Sequence, residues 1–149
     1  LAFAVLGILT VVALMDMDTL EIYDRFPVLL FVCGIAAHIL IPSLGIKSRL
    51  IGCVIVSVPM LLLALIVPGG FGGGDIKLMF GAGFFLGVKL TVVAAFIGIL
   101  LGGGFGALLL AQKKVNRKSQ FAFGPFLCIG IAIAMFFGET IADWYMGLL

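Results

Sequence analysis

Apolar residues recur in long stretches over 1–15, 26–46, 50–67, 76–88, 90–111 and 121–138, separated by short polar or glycine-rich breaks. A helix rising about 1.5 Å per residue needs about 20 such residues to cross a hydrocarbon core of ~30 Å. About five or six crossings therefore use up nearly the whole chain. Hydrophobic residues make up 64% of the 149 and charged residues 11%, against roughly 45–50% and about 25% in soluble domains. That balance excludes a soluble globular domain. In lipid every backbone N–H and C=O needs an internal partner, and an open sheet edge offers none, so the stretches are predicted to be helices. The expected fold is all-α: one polytopic membrane helical bundle of about six transmembrane helices, spanning 1–149 and surrounded by the lipid bilayer.

The stretch 76–88 rises only ~20 Å as a helix, so it is expected to draw on the preceding segment 69–75 to complete its crossing. Irregular glycine-rich backbone at membrane depth is tolerated only where protein or a water-filled cavity shields it, which makes 69–75 a place to look for a site. The chain opens without an initiator Met, directly in an apolar run, and we expect its N-terminus to have been trimmed. The run lacks the basic flank and small-residue cleavage site of a secretory signal. Cys33, Cys53 and Cys128 stand singly in apolar surroundings with no CxxC or Cys/His spacing, so neither a zinc site nor a disulfide framework is predicted. They read as small buried or lipid-facing residues.

The formal net charge of +2, from 9 basic and 7 acidic residues, is too small and too scattered for nucleic acid binding. Its placement is more informative. Breaks after the first, third and fifth stretches hold Arg25, Lys77, Lys113, Lys114, Arg117 and Lys118, whereas the others hold Lys47, Arg49 and Lys89. The positive-inside rule then puts the first set in the cytoplasm. Gly98, Gly102 and Gly106 recur at helical spacing and suit close helix contact.

Acidic residues near a span invite a functional reading, because each costs roughly 2.5–3.5 kcal/mol at a helix centre. Asp16, Asp18, Glu21 and Asp24 follow the first stretch, and Asp75 opens the fourth. The second and third stretches form one out-and-back hairpin, so Asp16 and Asp75 are predicted to emerge on the same face. Two carboxylates brought close cannot both ionise cheaply; one keeps a proton while the other activates water. Plainer roles stand beside this one: a solvated interfacial loop for 16–24 and a helix N-cap for Asp75. His38 reads as a packed or hydrogen-bonded residue. The Gly72-Gly73-Gly74-Asp75 run is no phosphate-binding loop, since no Gly-Lys-Ser/Thr follows.

Three islands carry a resemblance: Met15-Asp16-Met17-Asp18 with Glu21-Ile22-Tyr23-Asp24, then Gly72-Gly73-Gly74-Asp75-Ile76-Lys77-Leu78, then Phe123-Gly124-Pro125-Phe126-Leu127. In order, spacing and placement the chain resembles the type IV prepilin peptidase (type IV leader peptidase) family of GxGD membrane aspartyl proteases. The resemblance implies a catalytic pair at Asp16 and Asp75, which share a proton and activate water. It implies supporting or substrate-contacting roles for Asp18, Glu21, Asp24, Gly72, Gly74 and Lys77. The implied reaction removes a short basic leader from prepilins or pseudopilins at the cytoplasmic face of the bacterial inner membrane, with no metal or organic cofactor.

Tyr23 departs from the Pro usual in the family; that change can loosen the turn but removes no reacting group. The paired-CxxC module that many bacterial members carry, linked to N-methylation, has no counterpart in these 149 residues, so methyl transfer is not implied. The segment 16–25 sets four acids against one base, a charge that would concentrate and orient a basic leader. Two other classes compete: an ion-coupled transporter or channel subunit, which predicts acids near the bilayer midplane, and a structural membrane subunit, which leaves the two matched aspartates unexplained.

Overall fold

A computed structural model of the chain describes residues 2–19, 22–40, 45–66, 73–111 and 123–148. Over these residues it is all-helical: α1 (Ala2–Thr19), α2 (Arg25–Leu40), α3 (Ile46–Ile55), α4 (Ser57–Ile66), α5 (Gly73–Ala111) and α6 (Gly124–Leu148). Ile46–Ile66, Gly73–Leu108 and Gly124–Leu148 are each long and apolar enough to cross a membrane, and Arg25–Leu40 is a shorter apolar helix. The Lys and Arg residues of 113–118, on which the orientation rule leans, lie outside the described residues.

The rod formed by α3 and α4 is interrupted at Val56, the C-cap of α3. Pro59 accounts for the interruption, because its ring has no N–H to give and clashes with the carbonyl four residues back, at Ile55. Ser57, buried just past the break, donates its hydroxyl to Ile76 O at 3.4 Å, tying α4 to the first turn of α5.

Helix α5 has 39 residues, which as a straight rod would extend ~58 Å, about twice the hydrocarbon thickness. Gly87 breaks it, with φ 81° and ψ 176°, in the region that glycine alone enters without steric cost. The break divides α5 into a first limb (73–86) and a second limb (88–111). The expected spans 76–88 and 90–111 are these two limbs, parted at Gly87 rather than at Lys89.

Contacts along the limbs give their directions. Helix α2 runs parallel to the first limb, with Gly81 seated on the Pro27 carbonyl and Gly34 against Phe84. Phe31 packs on the Phe84 ring at 4.4 Å. Helix α3 runs antiparallel to the same limb, and Gly52 meets Gly83 and Gly87 backbone to backbone. Along the second limb α6 runs antiparallel, with Leu90 against Gly138, Gly98 against Leu127 and Gly102 under the Phe123 ring. Gly98 and Gly102 thus serve the packing role expected of them. Cys128 of α6 lies within electrostatic reach of Asp75 at the start of the first limb, while its neighbour Leu127 touches Gly98 of the second. The second limb therefore retraces the first. At the far end Lys89 bridges Glu139 and Asp143 of α6, each at 2.9 Å.

A helix broken inside an apolar bundle leaves backbone groups unpaired, and each costs several kcal/mol in lipid. Side chains of α3 repair this break. Arg49 Nη1 donates to Phe84 O and Phe85 O, each at 2.9 Å, carbonyls of the turn just before Gly87. The Val88 N–H donates to Ser48 Oγ at 3.2 Å, and Thr91 Oγ1 donates to Gly87 O at 2.5 Å. Arg49, counted from sequence among the charges of a polar break, is instead 2% exposed. The sequence reading misplaced it because a cation at the edge of an apolar stretch resembles a loop charge.

Helices in lipid gain little from hydrophobic segregation, so close approach through small residues carries the packing. A Cβ on Gly52 would fall 2.5 Å from Gly83 O and 2.8 Å from Gly87 C. Gly52→Ala should destabilise the bundle by about 1–3 kcal/mol through overpacking, read as a lower unfolding midpoint in detergent. Gly104→Ala, where nothing lies within 4 Å, should be no less stable than the parent.

Candidate active site

Helix α1 buries Val5, Leu9 and Val12, a stripe spaced four, three and four residues apart as a helical face requires. The next member is Asp16, 5% exposed. Helix α5 repeats the pattern in reverse order: Asp75, 7% exposed, begins the stripe that continues through Leu78, Met79, Ala82 and Leu86. Each aspartate is thus the polar terminus of an otherwise apolar buried face. Asp18 lies two positions, or about 200° of helix, beyond Asp16 and is exposed.

The start of α6 completes the arrangement. Its first residue, Gly124, donates its backbone N–H to Asp16 Oδ2 at 2.9 Å, across 108 residues of sequence. The first N–H groups of a helix have no internal partner, and the dipole there favours an anion. Pro125 fits beside it because a first-turn N–H is not needed within the helix. A Cβ at 124 would stand 2.5 Å from Asp16 Oδ2 and 2.9 Å from its Cγ, so a larger residue there would push the carboxylate aside. Asp75 in turn occupies the first turn of its own helix, a position equally suited to negative charge. It is the third residue of α5 rather than an N-cap. Cys128, buried in α6, lies within electrostatic reach of both carboxylates, which places them at one end of the bundle.

The segment after α1 folds across the start of α5. A Cβ on Gly74 would lie 2.8 Å from Ile22 Cβ, so a side chain there would displace the linker. Asp24 and Lys77 form an ion pair of 2.8 Å with both side chains more than half exposed. Arg25 stacks over Tyr23 at 5.5 Å. Glu21 and Gly72, both singled out from sequence, lie outside the described residues.

An open groove of about 440 Å³ runs between α2 and the first limb, lined by Pro27, Val28, Phe31, Phe80, Gly81 and the Asp24–Lys77 pair. It lies on the face of α5 opposite Asp75, since Lys77, Phe80 and Gly81 sit about 140–240° around the helix from it. The groove and the aspartates are separate features. His38 Nδ1 is buried and has no hydrogen-bond partner among the described residues. Among those residues no group of three His, Cys, Asp or Glu is placed to hold a metal ion.

Sequence reasoning missed Gly124 as a site residue although its motif was visible. The signal was the Phe-Gly-Pro run itself, since a Gly at the first position of a helix, followed by Pro, marks a helix start where another group approaches closely.

The profile of the type IV leader peptidase family matches residues 3–107. The chain is 29% identical over 145 residues to a prepilin leader peptidase/N-methyltransferase of Bacillus subtilis, covering 97% of this chain and 58% of that protein. It is 38% identical over 76 residues to the protein of the same name from Legionella pneumophila, covering 51% of this chain and 26% of that one. A third, from Aeromonas salmonicida, is 25% identical over 147 residues, covering 95% and 50%. The chain thus spans about half the length of the relatives that it matches end to end. No solved structure matches it.

The Asp24–Lys77 pair joins α2 to α5 at an exposed edge, where such pairs contribute about 0–1 kcal/mol. Asp24→Asn should accordingly leave the unfolding midpoint within that range of the parent, and a larger loss would assign the pair a structural role.

Proposed function

This chain belongs to the type IV leader peptidase family, a family of aspartic peptidases, and we propose that it cleaves the leader from prepilins or pseudopilins, with Asp16 and Asp75 as the catalytic pair. The observation that carries the reading is that two carboxylates from distant parts of the sequence, each ending a buried apolar stripe, lie at the same end of the bundle, where Ile22 beyond α1 meets Gly74 beside Asp75 and Gly124 meets Asp16. Neither is a surface charge, and neither sits at the middle of its helix, where an ion-transport reading expects acids.

Two neighbouring buried carboxylates share one proton. The ionised member takes a proton from water as the water oxygen bonds to the scissile carbonyl carbon. The protonated member donates to the carbonyl oxygen, which gains negative charge. As the tetrahedral intermediate collapses, a proton passes to the departing nitrogen, the C–N bond breaks, and the dyad returns to one proton. The Gly124 N–H on Asp16 fixes the orientation of that carboxylate and satisfies an oxygen lone pair that would otherwise be buried unpaired. Water and two carboxylates suffice for this chemistry.

Six passes through the bacterial inner membrane follow when the two limbs of α5 are taken as separate crossings and α3 with α4 as one. The aspartate end then faces the cytoplasm. Asp18, exposed about half a turn along α1 from Asp16, lies where a basic leader would arrive, and its charge would raise the leader's local concentration, whereas Asp24 is already paired with Lys77.

Cleavage of a basic-leader prepilin by the detergent-solubilised or liposome-reconstituted chain tests the proposal. Asp16→Asn and Asp75→Asn should each abolish cleavage in protein that remains folded. Asp18→Asn should retain kcat while raising KM and weakening salt dependence. The rate should fall at both low and high pH, because the dyad works with one proton only. Cleavage by both Asp16→Asn and Asp75→Asn at the parental rate would remove the dyad.

Gly124→Ala provides a separate check on the geometry. Pushing the Asp16 carboxylate aside by about an ångström should lower kcat on the order of 100-fold with little change in KM. Parental turnover in that variant would mean that the Gly124 contact is not part of the catalytic arrangement.

A further inference from the structure

The first limb of α5 presents Asp75 at one end and is broken at the other, where Gly87 interrupts the helix. What holds the broken end is therefore what sets the limb's height and tilt, and with them the position of the carboxylate. Three contacts meet there. Gly52 of α3 lies against Gly83 and Gly87, bringing the two backbones close enough for short-range bonds. Arg49 Nη1 gathers the Phe84 and Phe85 carbonyls. Ser48 Oγ receives the Val88 N–H on the other side of the break.

Arg49 is an unusual choice for this task. It is 2% exposed, and among the described residues no carboxylate pairs with it; its bonded partners are the two carbonyls. The negative end of the first limb's own dipole supplies the opposing charge. A charge so buried is retained at a cost, and a neutral donor could have capped a single carbonyl. A cation bridging two carbonyls resists both axial sliding and rotation of the limb, because either motion lengthens one bond or the other.

We infer that Arg49, with Ser48, is a positioning residue for Asp75: the pair anchors the broken end of the limb so that the carboxylate at its other end stays in register with Asp16. This rests on the two-aspartate reading above for its catalytic consequence, though not for the anchoring itself.

Two measurements test it together. Ile22→Cys with Gly74→Cys places two thiols where a Gly74 Cβ would be 2.8 Å from Ile22 Cβ, so the linker must draw back by about 1 Å to reach the Cβ separation of ~3.5–4.5 Å that a disulfide needs. The rate of oxidative cross-linking between them, followed by peptide mass spectrometry, reports where the start of the limb sits. Prepilin cleavage in Arg49→Met, Arg49→Lys and Ser48→Ala, each without the added cysteines, reports the catalytic effect.

Arg49→Met should slow cross-linking several-fold and lower kcat by about 10- to 100-fold while leaving KM unchanged. Arg49→Lys, which keeps one charged nitrogen able to serve both carbonyls, should recover part of each loss. Ser48→Ala should act in the same direction, more weakly, and decides the matter if Arg49→Met does not fold. Parental cross-linking and parental kcat in a folded Arg49→Met, or in Ser48→Ala where that variant decides, overturn the inference. Slowed cross-linking alongside cleavage that survives both Asp16→Asn and Asp75→Asn leaves the anchor standing and removes the dyad instead.

Discussion

The requirement that no backbone polar group go unpaired in lipid organises this bundle around a single defect. A 39-residue apolar helix is too long for one crossing, so α5 must turn, and turning strands its own carbonyls and N–H groups. Helix α3 resolves the conflict with adjacent side chains of opposite character, Arg49 as donor and Ser48 as acceptor. Gly52, one turn further on, allows the approach that makes both bonds possible. The remaining architecture follows from that junction. The first limb is clamped between α2 and α3, the second is free to lie along α6, and both limbs bring their outer ends back to the level of Asp16.

The two buried aspartates stand at the ends of apolar stripes. Along α1 and along the first limb of α5, the same helical face that excludes water through Val5, Leu9 and Val12, or through Leu78, Met79 and Ala82, finishes in a carboxylate. An apolar face directs the acid inward, and a helix start accommodates its charge, supplied by α6 for Asp16 and by α5 itself for Asp75. The aromatic groove lies on the opposite side of α5 from Asp75. Apart from the Asp24–Lys77 pair its walls are apolar, with Phe31, Phe80 and Pro27 among them, side chains that suit contact with hydrocarbon.

Helical class was legible from the sequence because hydropathy and length answer directly to bilayer thickness, and three of the described helices are long and apolar enough to cross one. The two aspartates were legible because acids are rare in such a chain, and the out-and-back argument needs only the parity of crossings. Three features were hidden for physical reasons. The break falls at Gly87 rather than at the charged Lys89, since backbone conformation and the Gly52 contact decide it, and 21 glycines in the chain offer no way to choose among them. Arg49 looks like a boundary charge until the carbonyls it serves are known. The Gly124 contact joins positions 108 residues apart, beyond any local pattern, although the Phe-Gly-Pro motif marked the place.

That long separation bears on the order in which the protein is made. Asp16 enters the membrane with α1, yet its backbone partner belongs to α6, and Asp75 arrives between them on a limb whose contacts with α3 were laid down earlier. A ribosome-bound chain lacking α6 carries both carboxylates but not the donor that orients one of them. On the two-aspartate proposal, a chain without α6 lacks the Gly124 N–H that orients Asp16, so cleavage activity would follow the insertion of that helix.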